Sequence, residues 1–228
     1  MTIRKEGDLV AQAYETLRKK IITLQIRPGE YLVEKALMAG LKIGRTPLRQ
    51  AILLLKNDNF VEGQPHRSPY VKELNLDEVK ELFETLMILE KNITYLAALR
   101  IGEADLSGLE EVQGNLERAI ENRDFWHIAR CNLEFHQVIA KAGRNRFLEK
   151  MHHNARLQAE RLSYIAVSRE LGDAASRDEH NKRICEQHNN LIACLRKKDQ
   201  KKIEALSVEH VRLFQGRILK SLMEISYL

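Results

Sequence analysis

The chain of 228 residues contains four prolines, three cysteines and one tryptophan, and each scarcity excludes something. Cys131, Cys185 and Cys194 are an odd number in a chain too long to need disulfide staples, which points to a reducing compartment. No apolar run approaches the roughly 20 residues that span a bilayer, and the first residues lack the apolar core of a signal peptide. The expectation is a soluble, cytoplasmic protein without a membrane partner. All four prolines (Pro28, Pro47, Pro65 and Pro69) lie in the first third of the chain. Whatever follows them can run as long uninterrupted helices. There is also no nucleophile elbow, no phosphate-cradling glycine loop and no cysteine–histidine pair in a recognisable motif, so the usual marks of an enzyme are missing.

Charge, by contrast, is present and uneven. Residues 1–74 carry 13 Lys+Arg against 8 Asp+Glu, whereas the remainder carries 24 of each. A basic segment joined to a neutral one is what a nucleic-acid-binding module attached to a sensing module would show. With 44% hydrophobic residues the chain can bury a core in each part. The boundary is expected near Asn75, which can cap a helix, with Glu78 three residues on completing a capping box. The predicted domains are therefore 1–74 and 75–228.

In the basic part, Ala11–Leu24 has an apolar stripe through Ala13, Leu17, Ile21 and Leu24 and reads as a first helix. Arg27-Pro28-Gly29-Glu30 is a turn, and 34–39 makes a short second helix. Thr46 can cap a third helix, with Pro47 in its first position. On that helix Leu48, Ala51, Ile52 and Leu55 face a core, while Arg45 and Arg49 point elsewhere from its N-terminal end. Cations there oppose the helix dipole, so an anionic partner is the better reason for them. A duplex supplies one, since recognition helices enter the major groove N-terminus first and arginine forks read guanine or clamp phosphate. Two β-prone runs, 60–62 and 70–72, then flank a turn-rich segment. Three helices and a hairpin make a winged helix-turn-helix.

From Tyr14 to Leu74 the chain resembles the GntR family of bacterial transcription regulators. The similarity is carried by Leu17, Arg18 and Ile22, by Pro28-Gly29-Glu30 with Leu32, and above all by Arg45-Thr46-Pro47-Leu48-Arg49-Gln50-Ala51-Ile52. The resemblance implies that Arg45 and Arg49 contact operator DNA with help from Thr46, that Lys35 takes a position often held by arginine, and that His66 and Arg67 reach the minor groove from the wing tip. Gly44, Lys42 and Ser68 depart from the family's pattern.

Beyond residue 75 there is no strand signal, and helical segments read as 76–100, 104–121, 124–142, 145–168, 177–197 and 200–225. The fold expected is mainly α: a winged helix-turn-helix followed by an all-α bundle of about six helices. Asn132 and His136 share one face of a helix, four residues apart. His188 and His210 each lie 11 residues from Asp199 at the turn of a helical hairpin, which places both at one height. A third helix carrying His136 would complete a cluster inside the bundle. Of the other histidines, at most one of His152 and His153 can point inward and both are expected at the surface; His127 and His180 are expected in solvent. Cys185 reads as a small core residue. Arg156 and Arg161 are the candidates on the long 145–168 helix to meet an anionic effector.

This part is similar to the FadR-like C-terminal ligand-binding domain, called FCD. Asn132-Leu133-Glu134-Phe135-His136 matches its Asp-x-x-Phe-His motif, and His188 and His210 match its later histidines. The resemblance implies a divalent metal, zinc or nickel, held by His136, His188 and His210, with Asn132 standing where the family has aspartate. A neutral amide is the poorer donor, so metal affinity should fall. Leu86 replaces an arginine that faces the effector in many members. The function expected is a DNA-binding regulator, a repressor by the family's commoner habit, working as a homodimer whose operator affinity is set by a small-molecule effector, a carboxylate held with the metal. Two alternatives remain: a bundle that is only a dimerisation scaffold, and, remotely, a metal-dependent hydrolase. Against the last, Glu134 lies on the opposite helix face from His136 and is no general base.

Overall fold

The computed structural model describes residues 6–64, 67–168 and 174–226. Two compact units are present, Met1–Leu76 and Asp77–Leu228. The first holds α1 (Glu6–Ile22), α2 (Glu34–Leu41), α3 (Arg45–Asn57) and a hairpin of β1 (Val61–Glu62) and β2 (Tyr70–Val71). Helix α1 packs on α3 through Leu17, Ile21, Leu48, Ala51 and Leu55, all fully buried. Each large apolar side chain so buried contributes about 1.5–3 kcal/mol, and this core fixes which face of α3 is left for solvent.

The hairpin pairs Val61 with Val71 antiparallel. Gly63 is required at its bend: at φ +158° a Cβ would lie 2.9 Å from the Pro69 Cα. Gly29, at φ +78°, turns the chain so that its N–H donates to Val71 O at 2.8 Å, while Val71 N–H donates to Glu30 O at 2.9 Å. The Pro28-Gly29-Glu30 turn is thereby sewn to the wing.

One detail of α3 differs from the expectation. The helix begins at Arg45, one residue before Thr46, and its cap is Gly44 in extended conformation without a side-chain bond. Pro47 thus sits third rather than first. The first four N–H groups of a helix have no partner within it, so a proline is accommodated at either position, and here Pro47 and Leu48 are both buried.

The second unit is all helical: α4 (Leu76–Arg100), α5 (Glu103–Glu121), α6 (Phe125–Ala142), α7 (Arg146–Ser168), α8 (Ala174–Lys197) and α9 (Gln200–Ser226). Helix α6 packs against α5 and α7, and α8 against α5 and α9. Asp124 caps α6 by accepting from His127 N–H at 3.1 Å. Leu86 is fully buried in the core. No helix among the described residues is long and apolar enough to cross a membrane.

Candidate functional site

Two candidate sites emerge, one in each unit. On the first, the apolar stripe of α3 turns Arg45 and Arg49 outward, 66% and 62% exposed. Lys35 and Thr46 are exposed as well. Glu34, at the start of α2, had not been singled out from the sequence. Its Oε1 accepts from Arg49 Nε at 2.8 Å, and its Oε2 lies 3.8 Å from Arg45 Nε. A carboxylate at Nε holds the side chain while leaving the two terminal nitrogens to face a partner. Arg49, Lys56 and Arg67 line a groove of about 680 Å³ between α3 and the hairpin. His66 lies outside the described residues.

On the second unit, His136 of α6, His188 of α8 and His210 of α9 meet in the bundle, and one nitrogen of each ring lies within 4.8 Å of the others. All three are buried. The Nε2 atoms of His136 and His210 are 3.1 Å apart. His188 stacks on Phe135, centroids 3.8 Å apart. Its Nε2 is buried with no hydrogen-bond partner among the described residues.

The opposite ring nitrogens are each held. His188 Nδ1–H donates to Gln113 Oε1 at 3.0 Å, and His210 Nδ1–H donates to Gln187 Oε1 at 2.9 Å. Those bonds leave Nε2 of both rings as bare lone pairs. His136 is different. Arg156 donates to its Nδ1 at 3.0 Å, which puts the ring hydrogen on Nε2, aimed at His210. Glu90 Oε2 stands 3.3 Å from the same Nδ1. Taking a cation at Nε2 therefore requires His136 to carry its hydrogen on Nδ1, where Glu90 can accept it. Three imidazoles with such partners behind them fit a divalent metal.

Behind the triad lies an ionic cluster that sequence reasoning missed. Arg156 Nε donates to Glu90 Oε1 at 2.5 Å, and His152 Nε2 is 2.7 Å from the same oxygen. His152 was expected at the surface and is instead fully buried. The spacing of α7 allowed one inward histidine, and a buried carboxylate on α4 decided which. Burial pushes the Glu90 carboxyl up, but Arg156, then His136 and His152, outweigh it and hold it well below the usual range. Glu90, His136 and His152 also have ligand atoms close enough to hold an ion. There, the Arg156 guanidinium already supplies the positive charge. His180 too is buried rather than solvated.

A small enclosed cavity of about 20 Å³, room for about one water, adjoins the triad. Asn132, Ser163, His180, Asn181, His210 and Arg217 give it polar atoms, above an apolar floor that includes Ile128 and Phe214. Asn132 Oδ1 is buried without a partner among the described residues. Arg156 and Arg161 are buried on α7 and do not line this cavity.

Burial pulls His136 down to about 4, Arg156 helping; it pulls His188 and His210 well below their ordinary value, and His180, helped by Arg217 and Arg183, to about 3. These rings are neutral when folded and protonate near pH 6.5 when unfolded. Below about pH 6.5 the unfolded chain binds more protons, so stability falls with pH until the folded pKa is reached. Metal-free protein should lose on the order of 1.4 kcal/mol per pH unit per such histidine between about pH 6 and 4. Urea midpoints in that window check this, and a flat profile contradicts it.

Comparison with known proteins gives a consistent picture. The FCD domain profile matches residues 81–213, and that of the bacterial regulatory proteins, gntR family, matches residues 9–71. The chain is 23% identical over 201 residues to the HTH-type transcriptional repressor RspR of Escherichia coli K12, covering 88% of this chain and 85% of that one. The solved structure of E. coli McbR/YncC superposes with a TM-score of 0.78 at 24% identity, covering 96% and 99% of the two chains. A GntR transcriptional regulator from Rhodococcus sp. RHA1 superposes at 0.73 with 18% identity, covering 92% and 97%.

Proposed function

Because this chain belongs to the GntR family and carries an FCD domain, it is a DNA-binding transcriptional regulator and not an enzyme, and we propose that its helical unit senses a small anionic effector with a divalent metal. The observation that carries this reading is the triad, with Nε2 of His188 unpartnered among the described residues, Nε2 of His210 facing Nε2 of His136 at 3.1 Å, and the far nitrogens of His188 and His210 held by Gln113 and Gln187. His136, His188 and His210 would hold the ion and Asn132 would face its open side. The metal, when bound, supplies a Lewis-acidic positive charge to which a carboxylate can attach. Arg156, proposed from the sequence as an effector contact with Arg161, would act from behind the triad through its bond to His136. The cavity must widen to admit anything larger than water, so effector binding would part the helices around it.

In the N-terminal unit, Lys35, Arg45, Thr46, Arg49, His66 and Arg67 are proposed to meet the duplex. A homodimer would set two recognition helices in successive major grooves of a pseudo-palindromic operator. Helix α4 offers a face for self-association: Ile88, Tyr95 and Leu99 are exposed on one side of it. Coupling of about 1–3 kcal/mol between effector and operator changes DNA affinity 5- to 150-fold. Repression is the outcome proposed, as in RspR by its name. If the bundle were a scaffold alone, no metabolite would alter operator affinity.

The test is metal analysis of protein purified without chelator or affinity tag, alongside His188→Ala. The wild type should retain zinc or nickel and the variant should lose most of it. Added zinc at 100 times Kd should raise wild-type stability by about 2.7 kcal/mol. Equal metal content in the two proteins would exclude His188 from the site.

A further inference from the structure

A further cationic groove lies between α6 and α7. It measures about 480 Å³ and shares no lining residue with the cavity beside His210. Lys141 near the end of α6 and Arg146 and Lys150 near the start of α7 line it, all exposed and none ion-paired among the described residues. Glu149 is the one acidic side chain in its wall. Arg146 opens α7, where a cation opposes the helix dipole, and Asn145 already caps that end by accepting from the N–H groups of Phe147 and Leu148 at 3.2 Å. Helix stability therefore gives no reason for these cations. A buried histidine supplies an independent sign of a ligand. His152 lines the groove yet is 0% exposed, and its Nδ1 has no hydrogen-bond partner among the described residues. Its other nitrogen, Nε2, is 2.7 Å from Glu90 Oε1; an ionised carboxylate only accepts, so the ring hydrogen sits on Nε2 and Nδ1 offers a lone pair. A buried polar atom left unpaired in a native fold is the exception and marks a missing partner.

We propose that this groove binds a phosphate group, as the free ion or as the monoester of a small metabolite. Lys141, Lys150 and the Arg146 fork would hold its anionic oxygens through charge-assisted hydrogen bonds. A hydrogen on the ligand, the phosphate's own or that of a neighbouring hydroxyl, would donate to His152 Nδ1. That requirement separates phosphate from sulfate, which has the same shape and more charge at pH 7 but carries no hydrogen. Because the His152 ring is closed to water, the side chains over it must part as the ligand enters. The groove is also tied to the triad. Glu90 Oε1 accepts from both His152 Nε2 and Arg156 Nε, and Arg156 donates to His136 Nδ1. A phosphate seated on His152 would thus bear on the cluster behind the triad and give the helical unit a second input, whether or not the triad holds a metal.

The experiment is a calorimetric titration of the full-length protein at pH 7 with inorganic phosphate, glycerol 3-phosphate and sulfate at matched low ionic strength. It is repeated on the double variant Arg146→Gln, Lys150→Gln, whose changes fall at exposed positions and leave the core intact. The wild type should bind the better of the two phosphates at least about fivefold more tightly than sulfate, the worth of one hydrogen bond. The double variant should bind phosphate about tenfold or more weakly, having lost two charged donors. Tighter binding of the ester than of the free ion would identify a phosphorylated metabolite as the occupant, and the reverse order would identify inorganic phosphate; either supports the site. Sulfate bound as tightly as both phosphates would reduce the groove to a patch of cations and overturn the inference. Phosphate affinity unaltered in the double variant would place the anion on another surface and overturn it as well. No saturable binding of either phosphate would refute it outright, whatever the metal content of the triad.

Discussion

Replacing Arg156 by methionine is expected to destabilise the helical unit by about 3–5 kcal/mol, the cost of leaving one member of a buried ion pair alone. The guanidinium is 2% exposed and bonds both Glu90 and His136. Without it, the Glu90 carboxylate keeps His152 as a partner and loses its strongest stabilising charge. Its pKa then rises, and the destabilisation relative to wild type should be largest at neutral pH, where the carboxyl is ionised when unfolded. The sign follows from linkage. A carboxyl held low when folded contributes stability above its unfolded pKa, and that stability is lost as pH falls through the folded value. Wild type should show this carboxyl contribution to the loss in acid, beyond that of the buried histidines, and Arg156→Met should show only the histidine contribution. Pairing the change with Glu90→Gln removes the stranded charge and should recover much of the loss, since paired removal is far milder than single removal. Denaturant midpoints on the two single variants and the double variant give the coupling. A loss below about 1 kcal/mol for Arg156→Met would show the pair to be immaterial.

The second large effect concerns the DNA face. Arg45→Ala and Arg49→Ala should each weaken operator binding by about 1–3 kcal/mol, roughly 5- to 150-fold. Operator fragments selected from genomic DNA by the wild-type protein provide the substrate. The two changes should differ in character. Arg49, held at Nε by Glu34, presents its terminal edge and suits a bidentate contact with guanine, so its loss should relax sequence preference. Arg45 is held more loosely, at 3.8 Å, and suits phosphate, so its loss should weaken all sequences alike and reduce the salt slope by about one. Unchanged affinity in both variants would remove these side chains from the interface.

Much of this was legible in the chain. Absence of proline after residue 69 allowed the long helices, and six were found where six segments were expected. Two members of the histidine triad were legible from helix geometry, since equal displacement about Asp199 fixes the height of His188 and His210; His136 came from its place one turn after Asn132 and from the similarity of that stretch to the FCD motif. Start residues were less so. Helix α3 begins at Arg45, one residue before Thr46, with Gly44 in the cap position and no side-chain bond there.

What the sequence determined by itself was periodicity and type: which residues lie on one helix face, which segments can be helices, and which histidines can share a level. These are properties of neighbours in the chain, and the α-helix fixes them within a few ångströms. Only the tertiary structure decided partners. Glu90 and His152 are 62 residues apart and Glu34 and Arg49 are 15 apart, and no local rule pairs them. A carboxylate buried on one helix selects its cation and its histidine from whichever helix packs against it, and that choice is made by the bundle as a whole.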